Sequence, residues 1–202
     1  MRVQGIDPND VDTILLTHFH GDHCAGVPFF LMDAMLVSKR TKPLCVAGPA
    51  GTRQRIETLR EALFPGSHVM QPQFALNYVD MESRRVNEVD GMLVTPYPAL
   101  HTPETCPTIL RVDAEGRIIT YTGDTDWTDD LIPAADGADL LISECYYYAK
   151  RIKMHMNYLT LRSHLGDLKA KSIVLTHMSE DMLKHARDIP ERCASDGMVI
   201  HV

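Results

Sequence analysis

No apolar run in the 202 residues is long enough to cross a bilayer, and the N-terminus lacks a signal-peptide pattern. A cytoplasmic protein with no membrane partner is therefore expected. A disulfide frame is missing too: the cysteines Cys24, Cys45, Cys106, Cys145 and Cys193 are odd in number, scattered and free of any C-x-x-C, as reduced thiols are. There is no internal repeat, no low-complexity segment and no linker-like break, so one domain over 1–202 with a sizeable core is the simplest organisation. An excess of cations is also lacking. With 20 Lys and Arg against 27 Asp and Glu the net charge is −7, which argues against a broad surface for long nucleic acid. What is present is ordinary for a folded chain, 45% apolar and 23% charged residues.

Strands and helices alternate along the chain. A turn-rich segment over 5–12 leads into an apolar strand at 13–17, and 26–38 reads as a helix apolar on most sides and hence buried. A short strand at 43–47 precedes Gly48-Pro49-Ala50-Gly51 and an amphipathic helix to about 63, with Ile56, Leu59 and Leu63 on its inner face. Further strands are expected at 74–79, 92–98, 108–112 and 117–122, the last two joined by a hairpin at Ala114-Glu115-Gly116. A short helix at 128–135, a strand at 139–143, a helix at 157–168 and a strand at 172–176 follow, and 197–202 reads as a closing strand.

The chemistry is concentrated where the first strand stops, in Thr17-His18-Phe19-His20-Gly21-Asp22-His23. Three imidazoles and a carboxylate within six positions are the donors that a borderline divalent cation such as zinc prefers. Without a cation each would need its own polar partner, and Gly21 lets the backbone turn so that the side chains converge. Two cations need about three ligands each and a bridge, so this cluster does not suffice for a pair. His101, Asp124 and His177 each follow a predicted strand as well. Strand ends gather on one edge of a sheet, so ligand-type residues at four of them describe an assembled site.

His18-x-His20-x-Asp22-His23 after a hydrophobic strand resembles the signature of the metallo-β-lactamase superfamily of metal-dependent hydrolases, and His101, Asp124 and His177 match its later motifs over nearly the whole chain. The resemblance implies an α/β fold, the αββα sandwich of that superfamily, here lacking part of the N-terminal sheet. It implies two divalent metal ions, zinc first and manganese or iron as alternatives. His18, His20 and His101 would hold one, Asp22, His23 and His177 the other, and Asp124 would bridge them. An aspartate at the bridge, where cysteine would stand, argues against a typical antibiotic-hydrolysing β-lactamase. The strand Leu140-Leu141-Ile142-Ser143-Glu144, followed by an additional His155 that lies 22 positions before His177, is similar to the phosphodiesterase branch that contains ribonuclease Z. That implies His155 as proton donor to the leaving oxygen, with Asp22 accepting a proton from water. The residues after His155 depart from the branch's small-residue and Thr pattern.

A small-molecule or nucleotide substrate is expected, with cleavage of a phosphodiester in a small nucleotide or an RNA end. Only 22 residues separate His101 from Asp124, too few for the long arm with which bacterial ribonuclease Z-like proteins grip tRNA. A thioester, ester or lactone hydrolase of the glyoxalase II type shares the seven ligands and is the alternative; a metal-retaining protein without activity is a third class. Trp127 and Tyr146-Tyr147-Tyr148 either line a cleft or cover the core. Only 17 residues precede His18, fewer than the superfamily's N-terminal strands require. The expectation is that the natural protein starts upstream of Met1 or completes its fold as a homodimer.

Overall fold

The computed structural model describes residues 1–202. They form two compact units, residues 1–81 and 82–202.

The first unit is a β-α-β-α-β arrangement. Strand β1 (Thr13–Leu15) leads through one turn of helix, α1 (Gly21–Cys24), and α2 (Gly26–Leu36) to β2 (Leu44–Gly48). Helix α3 (Thr52–Leu63) then returns the chain to β3 (Leu76–Asp80). The strands pair in the order β1-β2-β3, all parallel, with Ile14 opposite Val46 and Val46 opposite Tyr78. Central β2 is buried at all five positions, as a parallel strand covered on both faces should be. Leu16, Leu31, Val46, Ile56 and Phe74 form the core. Ile56 and Leu59 face inward on α3 as expected, whereas Leu63 is exposed at the frayed end. Helix α2 is less enclosed than its composition suggested, since Phe29 and Leu36 are exposed. Its apolar residues run round the whole helix, so a face remains outside any single-sided packing.

The short lead into β1 is held from within. Arg40 is buried, and its guanidinium donates to the carbonyls of Lys42 (2.8 Å), Pro43 (2.5 Å) and Pro8 (3.3 Å). A buried guanidinium with acceptors in a fork of directions fastens the 3-10 turn at Pro8–Asp10 beside the strand.

The second unit is a seven-stranded sheet. Strands β4 (Asn87–Val89), β5 (Met92–Pro98), β6 (Thr108–Ala114) and β7 (Arg117–Tyr121) form an antiparallel meander. Short α4 (Leu131–Ala135) leads to β8 (Leu140–Glu144), α5 (Tyr158–Leu168) to β9 (Ile173–Thr176), and α6 (Glu180–His185) to β10 (Arg192–Cys193). The order is β10-β9-β8-β7-β6-β5-β4, with β7 through β10 parallel. The β6–β7 hairpin turns on Glu115 and Gly116, both at positive φ (53° and 76°), the mirror-image turn that suits strand twist. Ile109, Leu131, Leu141, Tyr158, Leu161 and Leu175 fill the core.

The expected strand at 197–202 is absent. Those residues form no ladder, Val199 is exposed, and the sheet instead ends on the two-residue β10 beside β9. Alternating apolar residues make a strand only where a partner edge is in reach.

Strand direction decides where the chemistry gathers. β5 and β7 both run antiparallel to β6, and β8 and β9 run parallel to β7. The C-terminal ends of β5, β7, β8 and β9 therefore share one edge of the sheet, and His101, Asp124, Glu144 and His177 follow from them or end them.

Candidate metal centre

In the first unit, β1 ends at Leu15 and the chain passes through buried Leu16, Thr17 and His18 to His20, the N-cap of α1. One helical turn then returns the backbone so that His20 and His23 stand on the same side. Cys24, fully buried in the core, anchors that turn and acts as a packing residue. The rings of His18 and His20 lie 5.0 Å apart, those of His18 and His23 4.1 Å. Asp22 Oδ2 is 3.3 Å from His23 Nε2. His18 Nδ1 lies 3.0 Å from the Thr17 hydroxyl, which fixes the ring about its Cβ bond.

In the second unit, Asp124 is buried at the end of β7, reached through Gly123 at φ 56°. Around its carboxylate stand His101 Nε2 at 3.9 Å, His155 Nδ1 at 3.9 Å and His177 Nδ1 at 3.6 Å. Asp124, Glu144, His155 and His177 each bring one donor atom within 4.8 Å of the others. His177 holds φ at 53°, uncommon for a residue with a side chain and characteristic of sites where position outweighs backbone comfort.

These spacings fit a divalent cation. Two ligands at zinc-like bond lengths in tetrahedral array are about 3.4 Å apart, close to the separations in both units and longer than a hydrogen bond. His101 gives the clearest indication. Its Nδ1 donates to the Met154 carbonyl (2.8 Å), which can only accept, so Nε2 is the ring nitrogen on the side of Asp124, 3.9 Å from that carboxylate. A backbone carbonyl behind a ligating histidine is the usual orienting partner.

Glu144, the residue that ends β8, stands in this cluster although its residue type alone assigns it no role. It is buried and accepts three hydrogen bonds, from His155 Nδ1 (2.5 Å), Thr125 N (3.1 Å) and Met156 N (3.0 Å). The carboxylate's hydrogen bond holds the His155 imidazole above its ordinary pKa, against burial, which lowers it. With Nδ1 engaged by Glu144, Nε2 is the ring nitrogen that remains for another partner. Tyr146 lies against both His155 (5.1 Å) and His177 (5.4 Å), whereas Tyr148 stacks on His185 (4.0 Å) and packs against the core. The tyrosine run thus divides between the two expected roles. His68 pairs with Glu61, and His164 stacks on Trp127.

Residues 1–178 match the family described as the β-lactamase superfamily domain. Among curated relatives, a ribonuclease Z of Thermoplasma acidophilum is 29% identical over 180 residues, covering 67% of this chain and 57% of the relative. One of Agathobacter rectalis is 25% identical over 242 residues, covering 94% of this chain and 79% of the relative. The fold is shared with the crystal structure of the metallo-β-lactamase fold protein YhfI from Bacillus subtilis, at TM-score 0.73 and 21% identity over 96% of this chain and 79% of that one. No helix is long and apolar enough to cross a membrane. The strand-end histidines and aspartates accordingly stand in a chain that belongs to the β-lactamase superfamily, with the metallo-β-lactamase fold.

Proposed function

We propose that the chain is one metal-dependent hydrolase domain that cleaves phosphodiester bonds of a small nucleotide or an RNA end. The family match runs across both units, which supports treating them as one domain. The ligand set is the one the family pattern assigns. By that pattern His18, His20 and His101 would hold one divalent cation, Asp22, His23 and His177 would hold a second, and Asp124 would be shared between them, with zinc the metal best suited to these donors. When bound, such a pair supplies Lewis acidity, making water more acidic and polarising a phosphoryl oxygen.

The chain's own residues do the rest. Asp22 accepts the proton of the attacking water. His155 carries a proton at Nε2 to the departing alkoxide, while Glu144 fixes its other nitrogen and stabilises the charged ring. Tyr146 limits the ring's freedom from the side. The observation that carries the phosphodiester choice is the His155–Glu144 contact. An alkoxide leaving from a phosphodiester is a poor leaving group and needs a proton, which a buried carboxylate–imidazole pair beside Asp124 is built to deliver.

The test is a panel of bis(p-nitrophenyl) phosphate, a phosphomonoester, a thioester and a lactone, offered to protein loaded with zinc or manganese. Turnover of the phosphodiester is expected; on a dinucleotide, whose leaving group is an alkoxide, His155→Ala should slow cleavage about a hundredfold or more while metal content is unchanged. Good turnover of the thioester with none of the phosphodiester would replace this reading with the glyoxalase II-type alternative.

A further inference from the structure

Beside the strand-end cluster of the second unit lies a cavity of about 320 Å³, walled by Asp126, Trp127, Arg151, Ile152, Thr160 and His164. Its volume is that of a small-ligand pocket. Both flanks belong to segments that carry the proposed chemistry. Asp126 and Trp127 come directly after Asp124, and Ile152 bridges to His155 across a short loop. The third wall is one face of α5, where Thr160 and His164 lie four residues apart. Asn157 caps that helix, its side chain accepting from Thr160 N (3.0 Å) and donating to Thr160 Oγ1 (2.9 Å).

The walls are held firmly. Asp126 N donates to the Leu100 carbonyl (2.9 Å), Leu100 N to Thr125 Oγ1 (2.9 Å), and Thr125 N to Glu144 (3.1 Å). Trp127 N donates to Asp126 Oδ1 (2.7 Å), and the indole lies flat on the His164 ring, 3.8 Å away at 12°. The cavity therefore offers a fixed aromatic wall, a carboxylate that can accept further hydrogen bonds, and the exposed guanidinium of Arg151. A planar heterocycle with amino donors, attached to a phosphate, complements all three. The wall stacks on the ring, the carboxylate accepts from its amino group, and the guanidinium meets the anionic group.

We propose that this cavity receives the nucleobase of a nucleotide substrate, with Trp127 as the stacking residue and Asp126 as the acceptor. The proposal rests on the phosphodiesterase reading for the place of the reacting phosphate, and it makes Trp127 and His164 determinants of specificity.

Trp127 is the only tryptophan of the chain, so its emission reports on this cavity alone. Zinc-loaded protein is titrated with AMP and, in parallel, with ribose 5-phosphate, which has the phosphate and lacks the base. Saturable quenching by AMP is expected, with none from ribose 5-phosphate at the same concentrations. By calorimetry, Trp127→Ala should weaken AMP about tenfold or more, and Trp127→Phe should restore most of the loss. His164→Ala provides a second variant at the wall. Equal quenching by both ligands, no saturable quenching, or an unchanged AMP affinity in a folded Trp127→Ala protein would each overturn the proposal. The two readings fail separately. AMP quenching in a protein that cleaves no phosphodiester leaves the base site and removes the catalytic reading. Phosphodiester turnover with no AMP quenching does the reverse.

Discussion

Glu144 is the residue at which stability and chemistry can be separated by two substitutions. Its Oε2 accepts from the backbone N–H groups of Thr125 and Met156, and its Oε1 from His155 Nδ1. Thr125 and Met156 are themselves buried, so neither N–H can turn to solvent if the carboxylate is removed. In Glu144→Ala both donors lose their acceptor, at about 1–3 kcal/mol each, and the charged hydrogen bond to His155 goes as well. In Glu144→Gln the amide oxygen can occupy the Oε2 position and keep both backbone donors, so that only the charged bond is lost, about 1.5–3 kcal/mol. Alanine should thus cost about 2–6 kcal/mol more than glutamine. For a chain of this size that is roughly 4–24 °C in melting temperature. Both variants are melted by circular dichroism in the same zinc-containing buffer, because bound metal shifts apparent stability. Phosphodiester turnover should fall in both, since His155 loses its anionic partner in both. Melting temperatures for the two variants within about 2 °C of each other would refute the view of Glu144 as the pin of the Thr125 and Met156 backbone.

Two further outcomes follow from packing and charge. Gly48 ends β2, and a Cβ there would stand 2.6 Å from Thr52 Oγ1 and 3.1 Å from Leu16 Cβ. The Thr52 hydroxyl is buried and bonded to the Pro49 carbonyl (2.7 Å), so it has little room to yield. Gly48→Ala should cost about 1–3 kcal/mol by urea denaturation and displace Leu16, two residues before His18, reducing zinc retention; wild-type values for both would contradict this. Asp139 accepts from Lys171 Nζ (2.7 Å) and Ile118 N (2.9 Å), with Arg117 close by, and the Lys171 bond above all holds its carboxyl below the ordinary value of 3.8. A depressed carboxylate contributes stability that is fully present above that ordinary value and lost as pH falls through the folded-state value. Urea titrations from pH 6 down to about pH 3 should show a steeper loss in wild type than in Asp139→Asn, and identical slopes would remove Asp139 from the account of acid sensitivity.

Much of the fold was legible because burial leaves strong periodic marks. β2, buried at every position, and β8, buried at four of five, stand in the sequence as short apolar runs, and the β6–β7 hairpin announces itself through Glu115-Gly116. What was missed is short or partnered from a distance. β4 has three residues and exists because β5 pairs with it, and β10 has two beside β9. Helix α6 carried its signals, with Ser179 accepting from Met182 N, Glu180 and Asp181 in the first turn and Lys184 and His185 in the last. Six residues with only Met182 buried give too weak an apolar stripe to be seen.

The site divides along the same line, but for a different reason. Metal chemistry selects residue types, so imidazoles and carboxylates after strands are visible without any structure. The groups that orient those ligands are selected by position instead. His101 is set by the carbonyl of Met154, an atom that every residue possesses, and it is delivered by a backbone φ of 69° that nothing about methionine signals. Glu144 was visible as a carboxylate at a strand end, yet its use depends on Thr125 and Met156 presenting their N–H groups from loops that are remote in sequence. The same loops wall the cavity at Trp127, so one scaffold orients His155 and shapes the space beside it. A substitution in the 151–157 loop can therefore change both the setting of His155 and the cavity beside it.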